Sequence, residues 1–257
     1  VSSGKNLGRA KPGDSYTSIY GGIDRLSDDG VTYGLAFASI QGDYSVPARW
    51  TGGSMDQQGL ALYAATRFDS GAYLKGVLSA GTASYEQSRV AMGRPVNGRF
   101  RAQSLGAEVE AGYDTRTGIN PFVGFRFDRL TRGGFTEDDP RWGNSYIRQR
   151  SYSRALTLGI DVAKTFVTSD GGSFEINARL SGTREFGGAL DLWAAPNPAP
   201  GFAYLVHGLP HDPMSYRLDL GIKANLSERT RVSLRLGAEA SKSIRTGNIG
   251  AMLEMTF

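Results

Sequence analysis

Apolar and polar residues alternate along most of this chain with a period of two. In the clearest run, Val123-Gly124-Phe125-Arg126-Phe127-Asp128, one face carries Val123, Phe125 and Phe127 and the other carries Gly124, Arg126 and Asp128. Successive strand side chains point to opposite faces, so the run reads as a strand with one greasy and one polar face. Leu156, Leu158, Ile160 and Val162 likewise oppose Thr157, Gly159 and Asp161. Phe174, Ile176, Ala178 and Leu180 oppose Glu175, Asn177, Arg179 and Ser181. Leu218, Leu220 and Ile222 oppose Arg217, Asp219, Gly221 and Lys223, and Val232, Leu234, Leu236 and Ala238 oppose Ser233, Arg235, Gly237 and Glu239. Val31, Tyr33, Leu35 and Phe37 oppose Thr32, Gly34, Ala36 and Ala38. Helical spacing would scatter these sets around an axis. The pattern predicts strands near 15–26, 30–46, 55–68, 72–87, 98–115, 119–131, 147–166, 172–186, 213–226, 230–242 and 246–257. Several exceed the ~5–6 residues of a soluble strand and reach the ~9–11 that a tilted membrane strand needs.

The connections between these runs alternate in length. Short ones, rich in Asp, Gly and Ser, are Ser27-Asp28-Asp29-Gly30, Asp69-Ser70-Gly71, Asp114 to Gly118, Thr168 to Gly172 and Ser227-Glu228-Arg229. That is hairpin chemistry. Long ones are expected near 47–54, 88–97, 132–146 and 187–212, with a modest exception at Ser243 to Gly247. Alternation places every short turn at one end, the form of an outer-membrane barrel with short periplasmic turns and long outside loops. The expectation is a single all-β domain over 1–257, a transmembrane antiparallel up-and-down barrel, with 1–14 a polar stub or loop. A soluble β-sandwich or lipocalin-like barrel would also alternate. Against it, every strand alternates, and the polar face is rich in Gly, Arg, Asp and Glu, which suits a wet lumen better than a Lys-covered exterior.

Composition narrows the chemistry. Thirty-five glycines, with 12 tyrosines and 12 phenylalanines, fit a helical protein poorly. No cysteine is present, so disulfides and thiolate sites are excluded. No apolar run approaches the ~20 residues of a membrane helix, and Val1 to Asp14 does not read as a signal peptide. The net charge of +4 is spread along the chain, which implies a mixed surface rather than a nucleic-acid footprint.

Several runs resemble autotransporter β-domains. Asn120-Pro121-Phe122-Val123-Gly124-Phe125-Arg126-Phe127-Asp128-Arg129-Leu130 followed by Gly134-Phe135-Thr136-Glu137 is similar to a characteristic strand and loop of that family. So is Tyr20-Gly21-Gly22-Ile23-Asp24-Arg25-Leu26-Ser27-Asp28-Asp29-Gly30 leading into Tyr33-Gly34-Leu35-Ala36. Ser104 to Tyr113 resembles the strand before the first of these, Val206-His207-Gly208-Leu209-Pro210 through Gly221 resembles the approach to the tenth strand, and the chain ends on Phe257. The resemblance covers nearly the whole chain in order. It implies a twelve-stranded barrel in the outer membrane of a bacterium that carries an N-terminal passenger across it. About eleven full strands are legible, and bacterial single-chain barrels have even numbers. The strand near Ser15 resembles the family's second, so the first strand and the pore helix are expected upstream of Val1 or reduced to a stub at Val1–Lys5.

Candidate sites follow from the two faces. The terminal strand aligns Ile249, Ala251, Leu253, Met255 and Phe257 on one face, an amphipathic edge of the kind that barrel-assembly machinery engages by strand addition. Its ordinary alternative is a plain closing strand. The lumen wall is expected to carry Asp24, Arg67, Glu108, Glu110, Arg126, Asp128, Asp161, Glu175, Arg179, Arg217, Asp219, Lys223, Arg235, Glu239 and Glu254. Such a wall can hold a plug or hydrate a passing chain, or its charges simply pair across strands. Some relatives of the resembled family cut their passenger inside the barrel with lumen carboxylates. Glu108 and Glu110 sit on that kind of strand, but no junction segment is visible and no catalytic residue is assigned.

His207, His211 and Asp212 lie in a Pro-rich loop without a regular element beneath them and are not assigned to a metal. The same loop holds Trp193, Phe202 and Tyr204, too apolar for a solvated tip, and is expected to pack over the pore mouth or form a small hairpin. No Gly-Xaa-Ser-Xaa-Gly elbow, P-loop or HExxH occurs. The expected function is therefore an outer-membrane translocator with no enzyme activity, cofactor or nucleic-acid partner. It would be a monomer in contact with lipid, assembly machinery and passenger. A diffusion channel and an outer-membrane enzyme are the alternatives.

Overall fold

The alternating runs form long antiparallel strands in the computed structural model, which describes residues 2–4, 13–47, 50–167, 173–187, 191–206, 212–227 and 229–256. The barrel strands in chain order are β1 (Ser2–Gly4), β2 (Gly13–Leu26), β3 (Val31–Val46), β4 (Thr51–Arg67), β5 (Ala72–Ala91), β6 (Arg94–Tyr113) and β7 (Ile119–Arg132). Between β7 and β10 (Gln149–Val167) lie the short β8 (Phe135–Thr136) and β9 (Asn144–Tyr146). After β11 (Ser173–Gly187) come the short β12 (Leu192–Pro196) and β13 (Tyr204–Val206), then β14 (Met214–Asn225), β15 (Thr230–Ser241) and β16 (Ile244–Met255). Twelve strands close in the order β1-β16-β15-β14-β11-β10-β7-β6-β5-β4-β3-β2. The four short strands make a separate sheet in the order β13-β12-β9-β8. The expected all-β, twelve-stranded up-and-down barrel is thus the observed fold.

Closure depends on β1. Ser2–Gly4 pairs with Thr246–Ile244 of β16, and Ser2 and Ser3 pair with Asp14 and Gly13 of β2. Residues 1–14 are therefore not a stub alone, since they contribute β1 and the start of β2. Below that patch, Asn248–Met255 has ladder partners only on β15 and Ser15–Leu26 only on β3, among the described residues.

Each long barrel strand has its apolar face outward. Leu158 is paired with Val123 and Gly182, and Leu218 with Leu180 and Ala238, so outward side chains meet their kind across strands. Leu158, Ile160, Leu180, Leu220 and Leu234 are exposed on this face, as a barrel bathed in hydrocarbon requires. Outward aromatics gather toward both ends. Tyr33, Tyr113 and the stacked pair Phe166–Phe174 lie near the short turns, with Phe68 in one of them. Phe127, Tyr152, Phe186 and Tyr216 lie toward the other end. Phe166 and Tyr152 are fourteen residues apart on β10, or ~35 Å along the barrel axis at ~3.3 Å per residue and a ~40° tilt. Aromatic rings favour the interface, and the span matches a ~30 Å hydrocarbon core with its margins.

Two of the expected long loops are corrected. Segment 88–97 is strand for most of its length, because β5 and β6 run to 20 residues each and join through Met92-Gly93. Both of those residues have positive φ, 49° and 76°, the two-residue hairpin turn that matches strand twist. Segment 47–54 is similarly shortened, since β4 begins at Thr51. These ends read as loops because they rise beyond the apolar band. Their outward positions, such as Ser84, Glu86, Ser88, Arg99 and Arg101, are polar like the inward ones, so the alternation disappears while the ladder continues.

Candidate functional site

The polar faces converge on the lumen, where the wall charges are largely paired. Glu110 on β6 is the centre of the lower cluster and is buried. Its carboxylate accepts from Arg179 on β11, from Lys75 Nζ at 3.2 Å and from the Tyr73 hydroxyl at 3.2 Å. Arg179 reaches Glu110 past two intervening strands and also donates to Asp161 at 3.0 Å. Its guanidinium lies 3.6 Å from the centroid of the Phe122 ring, a geometry in which the ring quadrupole favours the cation.

Small residues make room for these large ones. A Cβ at Gly112 would lie 2.3 Å from the Tyr73 ring, and one at Gly159 would lie 2.3 Å from Phe122. Each glycine sits directly across from its aromatic partner, Tyr73↔Gly112 and Phe122↔Gly159. The lumen aromatics Tyr63, Tyr73, Tyr85, Phe100 and Phe122 are not among the site residues expected from sequence. For Tyr63, Tyr73 and Phe122 the available signal was a glycine opposite an aromatic of the polar face.

The remaining wall charges divide into pairs and single groups. Arg126 pairs with Asp128 at 2.8 Å, Lys223 with Glu175 at 3.0 Å, and Arg217 with Asp219 at 2.7 Å and Glu239 at 3.6 Å. Arg231 meets Glu254 at 3.5 Å, and Arg67 meets Asp114 at 2.8 Å near the short turns. Glu108 and Arg235 are on the lumen face but make no ion pair among the described residues. The partners of the Glu110 carboxylate are Arg179, Lys75 and Tyr73, and not Glu108.

The upper lumen is aromatic. Tyr85, Phe100, Phe135 and Tyr146 stack in sequence with centroids 4.8, 4.8 and 4.5 Å apart. Arg132 lies over the last three rings at 5.3–5.6 Å. This column joins the barrel wall to the four-stranded outer sheet. A second tie is ionic. Glu137, wholly buried, accepts from Arg89 Nε at 2.9 Å and Nη2 at 2.6 Å, from Gln87 at 3.2 Å and from the Asn144 amide at 2.8 Å. A third joins Asp138 to Asn97, whose amide and side chain donate at 2.7 and 2.9 Å. Beside these ties an open cavity of ≈ 900 Å³ is lined by Tyr44, Gln87, Asn97 and Asp138 among others.

The loop between Leu190 and Pro213 supplies two strands of that sheet. β12 and β13 form a hairpin, and β12 pairs with β9 through Ala194↔Tyr146. Asn197 locks the turn by donating to the Glu137 and Asp139 carbonyls at 3.1 and 2.8 Å. Tyr204 donates to Asn144 at 3.1 Å. Trp193 and Phe202 remain 50% and 78% exposed, so the cap presents apolar surface instead of burying it. Asp212 is spent on the β15–β16 turn, accepting from Ser241 at 2.8 Å and from the Ser243 amide at 2.6 Å. His207 and His211 lie outside the described residues, and no group of three His, Cys, Asp or Glu fit for a metal occurs among the described ones.

Donors at Asn97 hold the Asp138 carboxyl below its ordinary value, and Ser243 and Ser241 do the same for Asp212. Burial raises the Tyr146 phenol, with Glu137 adding to the effect. A carboxylate depressed in the folded state stabilises it above the unfolded value, and that contribution is lost as pH falls through the folded value. The Asp138 and Asp212 ties are thus expected to hold near neutrality and to weaken only as the pH is lowered below ~3.9, the ordinary aspartate value. Hydrogen-exchange protection of the Asn97 and Ser243 amides, measured against their intrinsic exchange rates at each pH, should fall over that window. A fall in protection near pH 6 would contradict it.

On the terminal strand, Ile249, Leu253 and Met255 are exposed and outward, Ala251 shares their face, and Phe257 lies outside the described residues.

The model of the autotransporter β-domain family matches residues 2–251. No curated protein sequence matches the chain. Among solved structures, the translocator domain of autotransporter NalP from Neisseria meningitidis is similar with a TM-score of 0.81 and 17% identity, over 100% of this chain and 84% of that one. The β domain of the Bordetella autotransporter BrkA gives 0.69 and 16%, over 100% and 96%. The transport unit of the autotransporter AIDA-I from Escherichia coli gives 0.55 and 14%, over 100% and 87%. At these identities the likeness establishes the fold.

Proposed function

Because the chain belongs to the autotransporter β-domain family and is an outer-membrane translocator domain, we propose that it moves an N-terminally attached passenger outward past a charge-paired lumen and a built outer cap, without catalysing a reaction itself. The observation that carries this is the cap, a four-stranded sheet tied to the barrel by Glu137, Asp138 and the ring column and set over the end away from the short turns. On this reading a chain leaving the lumen passes the Phe135 and Tyr146 rings of the cap and then the β12–β13 hairpin with exposed Trp193 and Phe202. Pairing of Glu110 with Arg179 and Lys75 supports a wetted wall over a cutting site, since a carboxylate held by two cations is a poor general base.

Partners follow from the edges. β1 joins β16 and β2 over a short patch, and among the described residues Asn248–Met255 has ladder partners only on β15 and Ser15–Leu26 only on β3. Unpaired backbone is costly in lipid, which favours the addition of a strand at these edges. The same edge of β16 is the surface we assign to strand addition by the barrel-assembly machinery, and the outward apolar band is assigned to lipid around a monomer.

The test is to replace the segment between Leu190 and Pro213 by a tight Asn-Gly turn. The barrel should remain folded, because β11 and β14 keep their own ladder, while export of an attached passenger slows or stops. Alanine at His207 and His211 should have little effect by comparison. Normal export from the shortened protein would remove the cap from the mechanism.

A further inference from the structure

The outward face of four neighbouring strands carries an unbalanced set of arginines at the outer edge of the apolar band. They are Arg101 on β6, Arg129 on β7, Arg150 and Arg154 on β10, and Arg184 on β11, all exposed. Register places them among the outer aromatics. Arg154 lies in one row between Phe127 and Phe186, and Arg129 faces Tyr152. The Arg184 guanidinium is 5.2 Å from the Phe186 ring centroid. Among the described residues none of the five makes an ion pair, and no Asp or Glu occupies an outward position on these four strands. Past β5 the sign differs: toward the same end, the outward charges of β3 and β4 are Asp43 and Asp56.

Five unpaired cations along a lipid boundary need an anion, and the guanidinium fork suits phosphate bidentately. We propose that this wall binds the phosphorylated headgroup of lipopolysaccharide in the outer leaflet. The arginines would hold phosphate while Phe127, Tyr152 and Phe186 pack against the sugar and upper acyl chains. The outer leaflet supplies this ligand on the side where the cap lies, and the inner leaflet does not. The inference rests on the outer-membrane placement, which fractionation of the native chain reads separately.

The experiment uses the folded, delipidated chain. Binding of purified lipopolysaccharide is measured for the native protein and for R129Q/R154Q/R184Q, with folding checked by heat-modifiable gel migration. Each cation near a charged membrane surface contributes enough that losing three should weaken binding roughly a hundredfold. Enzymatically dephosphorylated lipopolysaccharide should bind the native protein as weakly as the intact form binds the variant. D43N/D56N, on β3 and β4 outside the arginine patch, should bind normally. If the triple glutamine variant fails to fold, R129K/R154K/R184K keeps the charge and loses the fork, and should bind about tenfold more weakly. Equal binding by native and variant proteins would overturn the proposal, as would indifference to dephosphorylation or equal competition by phosphatidylglycerol vesicles. Passenger export by the variants reports on the translocator reading alone.

Discussion

Leu158→Arg is expected to destabilise the inserted barrel by about 2–4 kcal/mol, whereas Tyr152→Arg, on the same strand and face, should cost only ~0–1 kcal/mol. The difference is depth. Leu158 is near the middle of the outward run between Tyr152 and Phe166, and its cross-strand partners, Val123 and Gly182, are other outward apolar positions. An arginine there must reach along the strand to find water, while one at Tyr152 joins a row that already carries Arg154, Arg129 and Arg150. Equilibrium unfolding in lipid vesicles measures both. Equal costs at the two sites would mean that the outward face does not lie in hydrocarbon in the way the aromatic spacing implies.

That gradient was legible in the sequence for a physical reason. A membrane barrel reverses the usual partition and repeats it on every strand, so Leu156-Thr157-Leu158-Gly159-Ile160-Asp161 states its two environments directly. The eleven long strands were located to within a few residues on that basis. What failed to read were places where both environments are alike. Above the lipid both faces of β5 and β6 meet water or the cap, and Glu86, Ser88 and Arg99 look like loop residues although they remain in the β5–β6 ladder. The short β8, β9, β12 and β13 are set by long-range pairing between two connections, which no local pattern encodes. In the lumen, composition indicated the charges but not their partners. The Glu110–Arg179 contact joins residues 69 apart in sequence across two strands. Tyr73 and Phe122 are hidden in the polar face, each fitted in by a glycine directly across from it.

The largest local effect is expected at Glu137. Its side chain is wholly buried and holds Arg89, which is itself only a quarter exposed, through two hydrogen bonds. It also accepts from Gln87 and from the Asn144 amide, so one carboxylate joins the barrel wall, the β8 end and the β9 end. Glu137→Ala would strand the Arg89 charge and leave the Asn144 amide without its acceptor. Breaking a buried pair by removing one partner costs ~3–5 kcal/mol. The partial exposure of Arg89 places the cost at the lower end, about 3 kcal/mol. The loss should appear in the cap and not in the barrel, whose ladder does not use this group. Hydrogen exchange in β8 and β9 should then quicken by about a hundredfold, while the melting transition of the barrel stays in place. Glu137→Gln, which keeps one acceptor oxygen and no charge, should fall between. If the cap guides the emerging passenger, export should slow in the order native, Gln, Ala, parallel to cap exchange. Fast cap exchange with normal export would separate the order of the cap from its use. Unchanged exchange in Glu137→Ala would show that the ring column of Phe100, Phe135 and Tyr146 holds the sheet alone.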